Sequence, residues 1–148
     1  MRIGFVSDTY TPQVNGVTTV VRRIVSLLHA QGHQALVVAP QYPNTAASPD
    51  PRELRIPSLA FPLYADIRMS LPPFRPVAEF FDAAPPDVVH VHTEGALGLA
   101  GRRWALRQRV PLVTTYHTNF PEYSRHYGVG FLEPLVWRWL RWFHARPV

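Results

Sequence analysis

The chain has 148 residues, 47% of them hydrophobic, and 15 basic against 10 acidic side chains, for a formal charge of +5. That is about one domain's length with enough apolar content to bury a core, which excludes a disordered chain. There is no cysteine, which excludes disulfide scaffolds, iron–sulfur clusters, thiolate zinc sites and cysteine nucleophiles, and no apolar run reaches the ~18 residues of a membrane span.

The N-terminus, Met1-Arg2-Ile3-Gly4-Phe5, does not have a secretory signal's layout and reads at once as a strand, so a cytoplasmic protein is expected. Arg2–Ser7 is β-rich and apolar, a short buried strand. Asp8–Gly16 is a loop containing Pro12 and the turn pair Asn15-Gly16. A helix follows from Val17 to about Gln31, with Val17, Val20, Val21, Ile24, Val25 and Leu28 as one apolar stripe and Gly32 as its stop. Gln34–Ala39 is a second buried strand ended by Pro40. Strand, helix, strand is a βαβ unit, which implies parallel pairing and a right-handed crossover.

Gln41–Pro76 carries much of the chain's proline, 16 residues in all, and reads as irregular with a short strand near Leu54–Ile56. Val77–Ala84 reads as a short helix. Asp87–His92 is a strand, Thr93–Gly95 a loop, and Ala96–Gln108 a helix packing through Leu97, Ala100, Trp104 and Leu106. Pro111–Tyr116 is a strand, His117–Glu122 a loop, and Phe131–Arg146 a last helix. The alternation predicts a doubly wound, mostly parallel, Rossmann-like α/β sheet.

In such sheets ligands bind beyond the carboxyl ends of the strands. The loops Asp8–Gly16, Thr93–Gly95 and His117–Glu122 all follow strands, so their polar residues converge on one edge. Asn15-Gly16 enters a helix, where a glycine admits a ligand to the backbone and free N–H groups favour an anion; a plain turn with a threonine cap is the alternative. No G-x-G-x-x-G and no P-loop motif occurs, which counts against dinucleotide and P-loop chemistry. Glu94-Gly95-Ala96-Leu97-Gly98 repeats the arrangement, as a second cap or as close helix–strand packing. His90 and His92 share one strand face; with His117 they suit either a three-histidine metal site or a hydrogen-bonded core. No carboxylate–histidine cluster accompanies them, and no metal is assigned. His117 stands where a donor reaches a phosphate or sugar hydroxyl. Asp8 suits a sugar hydroxyl or a turn.

In the last helix Leu132, Leu135, Val136, Trp139, Leu140 and Phe143 form a stripe for the core. Trp137, Arg138, Arg141, Trp142 and Arg146 stay outside, which suits an anionic membrane surface or a partner domain. All 15 bases are arginine, which a GC-rich genome or an arginine-lined anionic site explains.

These residues resemble a known family. Asp8-Thr9-Tyr10-Thr11-Pro12-Gln13-Val14-Asn15-Gly16-Val17, Asp87-Val88-Val89-His90-Val91-His92-Thr93-Glu94-Gly95 and Thr115-Tyr116-His117-Thr118-Asn119-Phe120-Pro121-Glu122-Tyr123 look like three successive signatures of the family 4 retaining glycosyltransferases of the GT-B fold. The likeness is greatest to the mannosyl- and glucosyltransferases that build glycolipids. It implies transfer of a hexose from a nucleotide-sugar donor to a lipid or glycan acceptor, with no cofactor and no obligatory metal. By position in the family, Gly16 lies against the donor's phosphates and His117 beside the transferred sugar, as the catalytic residue. Asp8, Tyr10 and Asn15 line the acceptor side; Val17, Glu94, Gly95, Tyr116 and Asn119 complete the substrate-binding set. The last helix resembles the membrane-facing region of lipid-modifying members, so a cytoplasmic or inner-membrane-peripheral location is expected.

Family members are more than twice this length. Residues 1–148 therefore read as the N-terminal, acceptor-binding half, inactive alone, whose missing C-terminal domain is its natural partner; an exposed interdomain face also allows self-association. Two other readings compete. A non-catalytic α/β module for anionic ligands needs only the Asn15-Gly16 helix start and the arginines. A nucleic-acid-binding domain is suggested by the pI of about 10.2, but the arginines are scattered and no nucleic-acid motif is present, so no nucleic-acid partner is expected.

Overall fold

The computed structural model describes residues 1–43, 50–61, 64–70, 73–117 and 130–145. Five parallel strands form one sheet in the order β3-β2-β1-β6-β7: β1 (Arg2–Val6), β2 (Gln34–Pro40), β3 (Glu53–Ile56), β6 (Val88–Val91) and β7 (Leu112–Thr114). The doubly wound Rossmann-like expectation holds. The chain leaves β1 toward β2 on one side and returns to β6 on the other, so the strand order reverses between β1 and β6. At that point the connections that follow the two strands leave for opposite faces of the sheet, the place where such sheets bind ligands.

Alternation along each strand sends side chains to opposite faces. Ile3, Phe5, Ala35, Val37 and Ala39 meet helix α1 (Gly16–Ala30) through Val21 and the half-buried Val17, Ile24, Val25 and Leu28. Val6, Leu36, Val38, Val89, Val91 and Leu112 meet the helices of the opposite face. These are α2 (Phe74–Ala83), α3 (Ala96–Gln108) and α4 (Glu133–His144), which contribute Val77 and Phe81, Leu97 and Trp104, and Phe143. Gly32 ends the first connection in the left-handed region, φ 77°, where a side chain would be strained.

Several expectations are corrected. Val20 is 41% exposed: it flanks the buried line of α1, whose centre is Val21. Leu106 also points outward, one residue past the buried Ala105. The stretch from Gln41 to Pro76 is not simply irregular. Beyond β3 it forms an antiparallel hairpin of β4 (Ser58–Phe61) and β5 (Tyr64–Ser70), and α2 begins three residues before the expected Val77. Its prolines misled because they fall where no ladder bond is lost: Pro40 and Pro57 at strand ends, Pro73 at a helix start.

The α4 stripe is corrected too. Leu140 and Phe143 are buried, but Leu132, Leu135 and Trp139 are exposed, Leu135 by 63%. The C-terminal half of α4 reaches the sheet through Leu140 and Phe143, whereas in the N-terminal half Leu135 is exposed and Val136 only half-buried. Arg146 lies outside the described residues.

Candidate functional site

Asp8 follows β1 and its carboxylate is used entirely inside the protein. It accepts from the Thr93 hydroxyl (2.6 Å), the Leu97 amide (2.9 Å) and the Gly98 amide (3.3 Å), and the Asp8 amide donates to Thr93 Oγ1 (2.7 Å). It therefore caps α3, whose own cap residue, Gly95, has no side chain. Glycines make the approach possible: a Cβ on Gly95 would come within 2.6 Å of the Asp8 carboxyl, and one on Gly98 would overlap the Thr93 carbonyl. Burial pushes the Asp8 carboxyl up, while the Thr93 hydroxyl and the α3 amides pull it down.

The first loop is held as firmly. Asn15 Oδ1 accepts from the Thr18 amide (2.9 Å) as the cap of α1, and its Nδ2 donates to Thr9 Oγ1 (2.7 Å). Asparagine, not threonine, is thus the cap. The amide of Thr19 bonds the Asn15 carbonyl, which leaves the first-turn amides of Gly16 and Val17 unpaired among the described residues. A Cβ built on Gly16 meets nothing within 4 Å. Internal packing therefore does not require glycine here, in contrast to Gly95 and Gly98. The Tyr10 ring is only 5% exposed, in the core with Phe5 and Val21, and Arg55 lies over it at 5.0 Å. Arg55 also donates to the Thr11 carbonyl (2.8 Å) and hydroxyl (3.1 Å), and the Tyr42 hydroxyl donates to Gln13 Oε1 (2.8 Å).

Three imidazoles run along the neighbouring edge. His90 on β6 and His92 just beyond its end lie side by side, with ring centroids 3.9 Å apart. His90 Nε2 meets Thr115 Oγ1 at 2.7 Å, and His92 Nδ1 meets His117 Nε2 at 2.9 Å. Burial, reinforced by the neighbouring imidazoles, pulls His90 down to about 4 and His92 to about 3, and burial lowers His117 as well. All three are neutral at pH 7. The histidines bond to the protein and to one another, and among the described residues no group of three histidine or carboxylate side chains is placed to hold a metal.

On the other side of β7, the buried Glu94 accepts from His144 (Oε1 to Nε2, 3.0 Å), whose Nδ1 meets Thr114 Oγ1 at 2.8 Å; Trp139 Nε1 donates to the Glu94 carbonyl (3.3 Å). Burial pushes the Glu94 carboxyl up, and the bond from His144 opposes it. Glu94 thus pins α4 to the sheet edge. Tyr116 is exposed beside His144, ring edge to ring face at 6.1 Å.

The expectation of a common edge holds: β1, β6 and β7 run parallel, so the segments that follow them open at the same end of the sheet. Asp8, Gly95 and Glu94 meet at the β1–β6 switch, Gly16 and Val17 open α1 above β1, and His117 joins through His92. Asn119 lies outside the described residues, as do residues 118–122 of the third loop. Sequence reasoning passed over Thr93, Arg55, Tyr42 and His144. Each acts through a partner 29 or more positions away, so local spacing carries no sign of it. The alternation of His90 and His92 did signal the imidazole row.

An open, doubly wound α/β sheet with a glycine-led helix start and a row of imidazoles at its switch point defines a Rossmann-like domain. More narrowly, the chain belongs to Glycosyltransferase Family 4, whose sequence pattern matches residues 14–147. It is 34% identical over 151 residues to a GDP-mannose-dependent alpha-mannosyltransferase of Mycobacterium tuberculosis, covering 97% of this chain and 39% of that protein. Two alpha-monoglucosyldiacylglycerol synthases are also similar. That of Streptococcus pneumoniae is 34% identical over 132 residues, covering 89% of this chain and 30% of that protein. That of Acholeplasma laidlawii is 36% identical over 133 residues, with 86% and 32% covered. The chain thus spans about a third of the length of these relatives.

Proposed function

We propose that this chain forms the acceptor-side wall of a retaining hexosyltransferase that moves a mannose- or glucose-type sugar from a nucleotide-sugar to a lipid or glycan acceptor. The relatives' names support the donor and acceptor classes: one is GDP-mannose-dependent, others make a glucosyl diacylglycerol. In the proposed reaction the bond from the sugar's C1 to the phosphate oxygen breaks. The acceptor oxygen bonds C1 on the same face, and the acceptor proton leaves with the nucleoside diphosphate.

The observation that carries this reading is Gly16. Its surroundings are open, and the adjacent amides sit at the positive end of a 15-residue helix. A diphosphate fits there, and His117, a neutral donor, would meet the sugar. Asp8, Tyr10 and Asn15 then act as positioning residues: their polar atoms or rings are committed inside the protein, so they shape the wall instead of touching the acceptor. Transfer without an obligatory metal agrees with histidines already engaged with Thr115 and with each other.

A membrane surface is the proposed location. No helix among the described residues is long and apolar enough to cross a bilayer. The exposed face of α4 instead presents Trp137 and Trp142 with Arg138 and Arg141, and Phe131 and Leu135 extend it. Amphipathic aromatic rings beside guanidinium groups suit an anionic headgroup layer.

Amide chemical shifts of Gly16 and Val17, followed while GDP-mannose or UDP-glucose is added, test the donor site. The expected result is a saturable shift with at least one of them. With His117→Ala, the nucleotide-sugar binds about 10-fold more weakly, the size of one hydrogen bond, and the bare nucleoside diphosphate binds as before. Equal weakening of both ligands favours the non-catalytic anion-binding module; no shift with either removes the donor site. The chain alone is expected to bind without releasing nucleoside diphosphate, because the described site has one wall.

A further inference from the structure

The contact between His92 and His117 has a direction that chemistry can assign. Their ring planes are 18° from parallel with centroids 5.2 Å apart, while the nitrogens are 2.9 Å apart. That N···N separation is shorter than the spacing of rings packed face to face, so this is an edge-to-edge N–H···N bond. One ring must donate and the other accept. His92 is 1% exposed, packed against the rings of Phe5 and His90, and among the described residues its Nε2 has no hydrogen-bond partner.

Two proton arrangements are open to a neutral pair. If His92 carried its proton on Nε2, a buried N–H would be left orphaned, the rarer and costlier defect. If it carries the proton on Nδ1, only an acceptor lone pair is left without a partner, and the Nδ1–H points at His117. We propose that His92 is a positioning residue that sets the tautomer of His117: it donates from Nδ1 to His117 Nε2, so that His117 holds its own proton on Nδ1 as a fixed donor. This is the tautomer that free histidine disfavours in water. The same contact opposes protonation of His117, since an imidazolium would set its Nε2–H against the His92 Nδ1–H. His117 therefore acts as a neutral donor toward a ligand oxygen and not as an acid that gives up its proton. His90, itself held through Thr115, packs its ring against His92 with centroids 3.9 Å apart and so helps fix the His92 ring.

The value of this donor to a sugar rests on the reading above; the tautomer does not. Two-bond proton–nitrogen correlation spectra of the 148-residue chain with 15N-labelled histidine, at pH 7 and without ligand, read it directly. The expected spectrum shows His117 protonated at Nδ1 and bare at Nε2, with His92 the same. His92→Asn, whose amide nitrogen takes the place of Nδ1 and can donate, keeps His117 in that state. His92→Leu shifts it toward the Nε2–H form. A His117 protonated at Nε2 in the unsubstituted chain overturns the proposal whether or not either variant folds. So does an unchanged tautomer in a folded His92→Leu chain. Failure of nucleotide-sugars to bind while the Nδ1–H tautomer is present counts against the donor reading alone.

Discussion

The Asp8 carboxylate accepts the Leu97 amide at 2.9 Å across 89 positions of sequence, so the end of the first strand caps the third helix. One side chain thereby joins the two strands that flank the switch point. Removing it orphans the Leu97 and Gly98 amides and the Thr93 hydroxyl together. Asp8→Ala is expected to cost about 2–3 kcal/mol, as for a charged acceptor lost from buried donors. Urea denaturation followed by circular dichroism checks it. Asp8→Asn, which keeps one acceptor oxygen, costs less.

Gly16 and Gly98 make a controlled pair. A Cβ on Gly98 runs into the Thr93 carbonyl, whereas one on Gly16 has open space. Gly98→Ala is therefore expected to lower stability by more than about 2 kcal/mol, through strain that backbone cannot relieve. Gly16→Ala is neutral or stabilising by up to about 1 kcal/mol, since it removes freedom from the unfolded chain. Yet Gly16→Ala weakens nucleotide-sugar binding, because the methyl occupies the ligand's approach. Thermal melts with and without ligand separate the two effects.

The imidazole row makes stability depend on pH. His90 and His92 titrate near 4 and 3 in the folded chain against an ordinary 6.5. Below 6.5 the unfolded chain binds protons that the folded chain refuses, so stability is full above that value and falls as pH drops toward 4. The expected loss from pH 7 to pH 5 is about 2–3 kcal/mol for the two together, after allowing for solvent at the half-buried His90. Asp8 and Glu94, both raised by burial, act in the opposite sense and gain stability as pH falls through the carboxylate range. The histidine part is isolated by His92→Phe, which is expected to flatten the slope between pH 7 and 5 in urea titrations.

The α4 face is tested by vesicle sedimentation. Binding to vesicles with anionic headgroups is expected, weakened by added salt and absent with neutral lipid. Arg138→Glu with Arg141→Glu reduces it by about 10-fold or more, at roughly 1 kcal/mol per arginine. Trp137→Ala reduces it without changing the salt dependence. Binding unaffected by the charge reversals would remove the membrane assignment.

Much of the framework was legible along the chain. The apolar run of Gln34–Ala39, the stripe centred on Val21, and the glycine-led start of α3 are written in neighbouring residues, because strand and helix periods are local properties. With the strand–helix alternation they required a parallel sheet and one ligand edge. The hairpin of β4 and β5 was hidden because strand-end prolines look the same in sequence as loop prolines. The N-terminal half of α4 was misplaced because an apolar stripe records which side of a helix is hydrophobic, not whether anything lies against it.

That the loops share one edge followed from the succession of elements; that β6 lies beside β1, so that the strand order reverses there, came from the fold. What each polar group does there did not follow. Asp8 turned from a candidate for a sugar hydroxyl into the cap of α3, Tyr10 into core, and His92 into the partner of His117. These outcomes depend on polar groups 25 to 90 positions apart meeting at hydrogen-bond distance. Hydrogen-bond energy depends on separations of a few tenths of an ångström, and only the packing of the whole sheet sets those.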